Sequence, residues 1–317
     1  MLDSIPPSAA RFLADLERIQ ARAERAERQI SSGYKINKPS DDADSVQELL
    51  VARSNLEQTS QIRVNLGRAK AEVDTAEQAI QLAIQILDRA AQLGVEGASS
   101  ITTPETRRTL SIEVQAVLEH LVSISQTSVE GRYLFSGDSD RTAPYALDLA
   151  GANGVSDYAG SAATREMLHP AGTRFALSKT AQEIFDSATS GENVFAAVNS
   201  LRLALANGPT VPLGDPAYQT QHDAQTAAIA AALQAVRSAR DHVSGELAFY
   251  GVAQSRVDEA IKFANQLELR EKTAVSNLED ADVAAAALEL SQARLHQEAA
   301  LAARAKLPRS SLFDYLA

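Results

Sequence analysis

Cysteine and tryptophan are both absent from this sequence of 317 residues, and aromatic residues make up only 5% of it. Without cysteine the chain has no disulfides, no thiolate metal sites and no cysteine nucleophile, which fits a protein outside the reducing cytosol that does without disulfides. Few aromatics beside 45% hydrophobic residues favour thin, alanine-rich helical layers. Since no run of about 18 apolar residues occurs, we expect no transmembrane helix and no membrane partner.

Positive charge and catalytic patterns are also scarce. The formal net charge is −11 at pH 7, which argues against a nucleic-acid partner because phosphate binding needs a positive surface. The five histidines are dispersed, and none stands in an HExxH, Glu-x-x-His or nucleophile-elbow pattern. Ser40 or Asp41 is interpreted as the N-cap of the following helix, with Asp41 and Asp42 placed favourably at its positive end and not as metal ligands. We therefore expect no enzyme, no cofactor and no metal site.

A regular apolar stripe dominates the C-terminal part of the sequence. From Tyr250 to Ala302 it steps alternately three and four residues. A repeat of 3.5 residues held over this length is typical of a helix wound against another helix. Neither glycine nor proline occurs from Val252 to Leu307, so the pattern predicts one continuous helix, in which Gly245 and Gly251 are the positions where a short break can occur. The stripe includes Leu267, Leu278, Ala281, Leu288, Leu295 and Ala302.

Near its C-terminal end this predicted helix is apolar around most of its circumference. The four residues Leu288, Leu290, Leu295 and Leu301 do not all point in one direction, and exposed leucines in that number are unusual on a lone helix. The alternative is that alanine serves there only as a strong helix former on an exposed surface. We favour burial on several sides, which a single partner helix does not provide.

The N-terminal segment from Ala9 to Ile30 carries a second stripe of the same period. Its members include Phe12, Leu16, Ile19 and Ile30. This segment is a natural partner for the C-terminal helix, and such pairing brings the two chain ends together. We therefore predict a mainly α fold, a long antiparallel helical hairpin or coiled-coil bundle that joins the N- and C-termini, with a small β-rich insert in the middle.

The middle of the chain supplies the other predicted helices and the insert. A helix is expected from Ala43 to about Gly94, ended by Gly94 and Gly97, with an apolar stripe of heptad spacing that includes Leu66, Val73, Ile80 and Leu87. Thr103 with Pro104 opens the next helix as N-cap and first residue. Another helix is expected from Asn193 to Ala206. We predict a terminal coiled-coil assembly domain of residues 1–44 and 275–317, a helical core of 45–135 and 191–274, and an outward-facing β-rich insert of 136–190.

Two segments resemble the terminal signatures of the bacterial flagellin family, which includes the hook-associated proteins. The residues that carry the resemblance are Ser31, Ser32, Gly33, Ile36, Asn37, Asp41 and Asp42 near the N-terminus, and Glu279, Asp280, Ala281 and Asp282 near the C-terminus. Within the family, the run from Gly131 to Gly137 and the ending from Ser311 to Leu316 are similar to hook-associated members that join hook to filament.

The resemblance implies a structural subunit of the flagellum, exported unfolded by the flagellar type III apparatus and placed extracellularly between hook and filament. A filament flagellin is the first alternative, and a coiled-coil adaptor that does not polymerise is the second. The implied partners are copies of the chain itself, a neighbouring hook-associated protein, flagellin, and an export chaperone at the C-terminal helix. The expected assembly residues are Phe12, Leu16, Ile19, Ile30, Leu278, Ala281, Leu288, Leu295, Leu301, Leu312, Phe313 and Tyr315.

Overall fold

The computed structural model of the protein describes residues 7–189 and 191–306. These residues form seven α-helices and four short β-strands. The helices are α1 Pro7–Ser32, α2 Ala43–Ala98, α3 Pro104–Ser125, α4 Ala181–Phe185, α5 Val194–Ala206, α6 Pro216–Glu279 and α7 Val283–Ala305, and the strands are β1 Ser128–Val129, β2 Arg132–Tyr133, β3 Glu166–Leu168 and β4 Arg174–Ala176. The predicted mainly α fold is confirmed.

The chain divides into two compact units. The terminal unit consists of residues 1–60 and 266–317, of which 7–60 and 266–306 are described, and the central unit consists of residues 61–265. Two antiparallel pairs of strands, β1 with β2 and β3 with β4, belong to the central unit. Tyr145 and Phe185 of the predicted insert pack in the same hydrophobic core as the long helices.

In the central unit, α2 and α6 pack antiparallel along their predicted stripes. Ion pairs join Lys70 Nζ to Asp258 at 2.9 Å and Arg240 Nε to Asp88 at 3.1 Å. The earlier residue of α2 thus pairs with the later residue of α6, which shows that the two helices run in opposite directions. The buried stripe residues include Leu66, Val73, Ile80 and Leu87 on α2, and Val236, Val243, Tyr250 and Val257 on α6. Burial of this continuous apolar face is the main source of stability for the unit.

Helix α3 begins as predicted, whereas α2 ends later than predicted. The Thr103 side chain accepts the Thr106 N–H, and Pro104 is the first residue of α3. Helix α2 continues to Ala98, so Gly94 and Gly97 do not stop it. Gly97 packs closely against α5, because an added Cβ would lie 2.2 Å from Leu205 Cδ2 and the leucine side chain would have to move.

The predicted continuous helix at the C-terminal end is wrong. Helix α6 passes Gly245 and Gly251 without a break, ends at Glu279, and is followed by α7 from Val283. Between the two helices the Ala281 N–H donates to the Gly33 carbonyl, and the Asp282 side chain accepts the Ala285 N–H at 3.0 Å, which starts a new helix.

Among the described residues, no helix combines the length and hydropathy that a membrane span requires. Within the same ranges, no three or more histidine or carboxylate side chains are grouped so as to hold a metal ion.

Candidate assembly surface of the terminal unit

Helices α1 and α7 pack against each other in antiparallel orientation. Arg304, near the end of α7, lies over the ring of Phe12, near the start of α1, at 5.6 Å from its centroid. Further along the pair, Arg22 Nε donates to a Glu289 carboxylate oxygen at 2.7 Å. The predicted pairing of the N- and C-terminal helices is therefore present in the terminal unit.

The predicted stripe of α1 faces this contact. Phe12, Leu16, Ile19 and Ile30 are partly buried, and Ala26 is buried. On α7 the buried positions are Ala286 and Ala293, seven residues apart. Because alanine side chains are small, they let the backbone of α1 approach closely, but they bury little apolar area.

The predicted seam of α7 does not face α1. Leu288 is 61% exposed, Leu295 is 63% exposed and Leu301 is 48% exposed. The stripe predicted for one continuous helix loses its phase at residues 280–282, where the chain leaves the helix, so α7 turns its alanines inward and these leucines outward. Large aliphatic side chains left exposed on one side of a helix are a candidate interaction surface. Leu288 and Leu295 are seven residues apart and therefore lie on the same side of α7, opposite Ala286 and Ala293. We call Leu288 and Leu295 the leucine face.

The two family-like segments meet in the terminal unit. The Lys35 N–H donates to the Glu279 carbonyl at 2.6 Å, and the Ala281 N–H donates to the Gly33 carbonyl at 2.8 Å. Tyr34 and Asp280 form an antiparallel β-bridge between these bonds. We call residues 33–35 and 279–281 the clasp. It ends α1 and interrupts the passage from α6 to α7 at the same place.

Gly33 gives the clasp its turn out of α1. Its φ is +77°, a left-handed conformation that glycine adopts without steric cost. Its N–H donates to the Gln29 carbonyl at 2.9 Å, which closes the last turn of the helix. The Gln29 side chain donates to the Lys35 carbonyl at 3.1 Å.

The paired aspartates have two different structural roles. An Asp41 carboxylate oxygen accepts the backbone N–H groups of Asn37 and Lys38 at 3.1 and 2.9 Å. Burial opposes ionisation of Asp41, but these two hydrogen bonds and nearby arginines leave its pKa below the usual value. Asp42, and not Ser40 or Asp41, caps α2 by accepting the Ser45 N–H at 3.3 Å. Its hydrogen bond from the Lys35 ammonium lowers its pKa.

The side chain of Glu279 makes a contact that the sequence analysis missed. Arg53 on α2 donates to both of its carboxylate oxygens, from Nε at 3.2 Å and from Nη2. Arg53 is 226 residues away from Glu279 in the chain. Because α2 carries many charged residues, its sequence does not indicate which of them pairs with Glu279. Next to this pair, Ser276 Oγ donates to the Asp280 carboxylate.

The remaining predicted residues are placed as follows. Leu278, Ala281 and Ile36 are partly buried, and Ser31, Ser32, Asn37, Asp280 and Asp282 are exposed. Leu312, Phe313 and Tyr315 lie outside the described residues. The structure therefore brings the family-like residues together at the clasp and leaves the leucine face open. A role for these residues in assembly stays a prediction.

Two protein-family models match the sequence. The model described as the bacterial flagellin N-terminal helical region matches residues 8–140. The model described as the bacterial flagellin C-terminal helical region matches residues 233–316. The matched ranges include both halves of the clasp, the first part of the chain through β2, and all of α7.

Individual proteins are similar to the chain over parts of their length. Flagellar hook-associated protein 3 of Escherichia coli (strain K12) is 24% identical over 206 residues, which are 64% of this chain and 63% of that protein. Flagellin B of Helicobacter pylori (strain ATCC 700392 / 26695) is 35% identical over 109 residues, 34% of this chain and 21% of flagellin B. The chain thus spans 63% and 21% of the lengths of these two relatives.

The fold is also similar to a solved structure. Flagellar hook associated protein-3 from Legionella pneumophila has a TM-score of 0.61 at 14% identity, with 72% of this chain and 98% of that chain covered. At this identity the likeness concerns the fold alone. Because the two flagellin models match both ends of the sequence and together cover more than half of it, the chain belongs to the bacterial flagellin family.

Proposed function

We propose that this protein is a structural subunit of the bacterial flagellum that joins hook to filament. The observation that carries the proposal is the terminal unit, in which α1 and α7 are paired while α7 keeps its leucine face exposed. The similarity to hook-associated protein 3 along 64% of the chain supports the junction role over others in the family.

The leucine face favours assembly on energetic grounds. Complete burial of a leucine side chain contributes about 1.5–3 kcal/mol to stability, and the exposed Leu288 and Leu295 lack much of this contribution in the isolated chain. Neighbouring subunits that cover the face would recover it, and the α1–α7 pair would gain order at the same time. The partners proposed for this face are copies of the chain, a neighbouring hook-associated protein and flagellin.

The route to the flagellum is part of the same proposal. A subunit that works between hook and filament has to leave the cell, and the family resemblance implies export in unfolded form by the flagellar type III apparatus, with a chaperone bound at the C-terminal helix. The α7 side of the contact with α1 buries only alanines, so this helix contributes little buried apolar area to the pair, which keeps the helices accessible before assembly.

A filament flagellin is the second candidate. The observation in its favour is the 35% identity to flagellin B over 109 residues. A filament subunit adds to copies of itself without limit, which requires repeated heterologous contacts between mutually complementary surfaces. A junction subunit does this for a short distance only, since different proteins lie on its two sides.

Deletion of the gene separates the two candidates. Loss of a junction subunit should leave cells with hooks, without filaments, and with flagellin shed into the medium, as seen by electron microscopy and immunoblotting of the supernatant. Restoring the wild-type gene should restore filaments. Shortened or fewer filaments on an intact junction would instead assign the protein to the filament.

A further inference from the structure

Glu279 connects three parts of the terminal unit. It is the last residue of α6, its carbonyl accepts the Lys35 N–H of the clasp, and its carboxylate accepts two hydrogen bonds from Arg53 on α2. The Glu279 side chain is 8% exposed, whereas the Arg53 side chain is 49% exposed. The carboxylate is thus held away from water and the arginine reaches it from the surface.

A buried carboxylate depends strongly on its partner. Removal of one member of such a pair leaves an uncompensated charge that is shielded from water, which is more damaging than the loss of an exposed ion pair. The bidentate contact also fixes the direction of the carboxylate, because both ends of the guanidinium fork are used. The carbonyl that holds Lys35 belongs to the same residue, so the ion pair and the clasp are mechanically linked.

We propose that Arg53 is a positioning residue for the leucine face. By holding Glu279 at the end of α6, Arg53 keeps the clasp closed, and the closed clasp sets the phase and direction in which α7 starts. The leucine face is then presented on the outer side of the α1–α7 pair. The role in assembly rests on the proposed function, whereas the link between Arg53 and the clasp does not.

A second arginine in the same unit provides a matched control. Arg22 pairs with Glu289 across α1 and α7, but both side chains are well exposed, at 49% and 38%. Exposed ion pairs of this kind are screened by water and contribute little to the stability of the fold. Arg22→Leu should therefore leave the clasp unchanged, although it removes the same charge from the same unit.

Amide hydrogen exchange on the full-length monomer measures the clasp directly. The Lys35 and Ala281 N–H groups donate across the clasp, and we expect both to exchange at least ten times faster in Arg53→Leu than in the wild type. Arg53→Lys keeps the positive charge but loses the forked guanidinium, so its exchange rates should lie between those of Arg53→Leu and the wild type. The Val236 amide, in α6 of the central unit, should be unaffected.

A double variant separates charge compensation from packing by the arginine stem. Glu279→Gln removes the charge that Arg53→Leu leaves unpaired, so Arg53→Leu/Glu279→Gln should exchange more slowly than Arg53→Leu alone. If Arg53 acted only by packing, the double variant would be at least as fast. Equal exchange in Arg53→Leu and wild type, or no recovery in the double variant, overturns the proposal.

Incorporation into flagella tests the consequence for the leucine face. Expressed in the deletion strain, Arg53→Leu should be incorporated at least tenfold less than wild type, the double variant should recover part of the loss, and Arg22→Leu should match wild type. Faster exchange with unchanged incorporation overturns the positioning role. Failure of the wild-type protein itself to enter flagella would refute the proposed function, and the exchange data would still decide the link between Arg53 and the clasp.

Discussion

At the scale of single residues, exposure decides which substitutions act on the isolated chain and which act on assembly. Leu295 is 63% exposed, so Leu295→Asp should leave the melting temperature of the central unit unchanged. In an assembled interface the same carboxylate would be buried without a partner, at a cost of several kcal/mol. We expect loss of incorporation and of motility, measured by immunoblotting of purified flagella and by swimming in soft agar.

Leu168 provides the control for this substitution. It lies on β3 within the predicted outward-facing insert and is 48% exposed. Leu168→Asp introduces the same charge at a similarly exposed leucine, and motility should stay at the wild-type level. Normal motility of the Leu295→Asp strain would remove the leucine face from the interface.

At the scale of elements, two glycines of α2 should have opposite effects on stability when replaced by alanine, because α5 packs against Gly97 and nothing packs against Gly67. A Cβ on Gly97 would meet Leu205, which is fully buried, at 2.2 Å, whereas a Cβ on Gly67 would meet nothing within 4 Å. Gly97→Ala should lower the free energy of unfolding by about 1–3 kcal/mol through overpacking. Gly67→Ala should raise it by about 0.5–1 kcal/mol because alanine favours the helix.

Urea denaturation followed by circular dichroism measures both variants on the full chain. The two substitutions have the same chemistry, so the difference between their unfolding free energies isolates the contact with Leu205 from helix propensity. A Gly97→Ala protein more stable than the wild type would show that this contact relaxes at little cost.

At the scale of the whole molecule, the two units differ in how much apolar side chain they bury. The central unit has a continuous core, whereas the buried apolar residues described in the terminal unit are Ala26, Leu49, Ala286 and Ala293. Local stability follows such burial. We expect protease to cut the segment from Ala9 to Ile30 and the chain beyond Leu288 first, leaving a resistant fragment of about residues 45–270, identified by mass spectrometry.

The same digestion on assembled flagella serves as the reference, since covered ends should resist cleavage there. Resistance of both ends in a verified monomer at micromolar concentration would mean that assembly is not needed to order them.

The sequence alone determined the helical class, the pairing of the chain ends and the buried stripes of α2 and α6. Heptad spacing predicts these features because an apolar stripe of that period forms where a helix packs along one continuous surface. It also determined local caps such as Thr103 before Pro104, where the signal and the structure lie within a few residues.

The tertiary structure decided the features that depend on contacts between distant segments. The break at 280–282 arises from hydrogen bonds to residues 33–35, so an uninterrupted stripe from Leu278 to Leu288 could not reveal it. The break then turned the leucines of α7 outward, against the predicted seam. Likewise, the sequence predicted that Gly97 ends α2, whereas in the structure Gly97 lies inside the helix and packs against Leu205. The spacing of apolar residues indicates which side of a helix is buried, but it does not identify the residues that pack there.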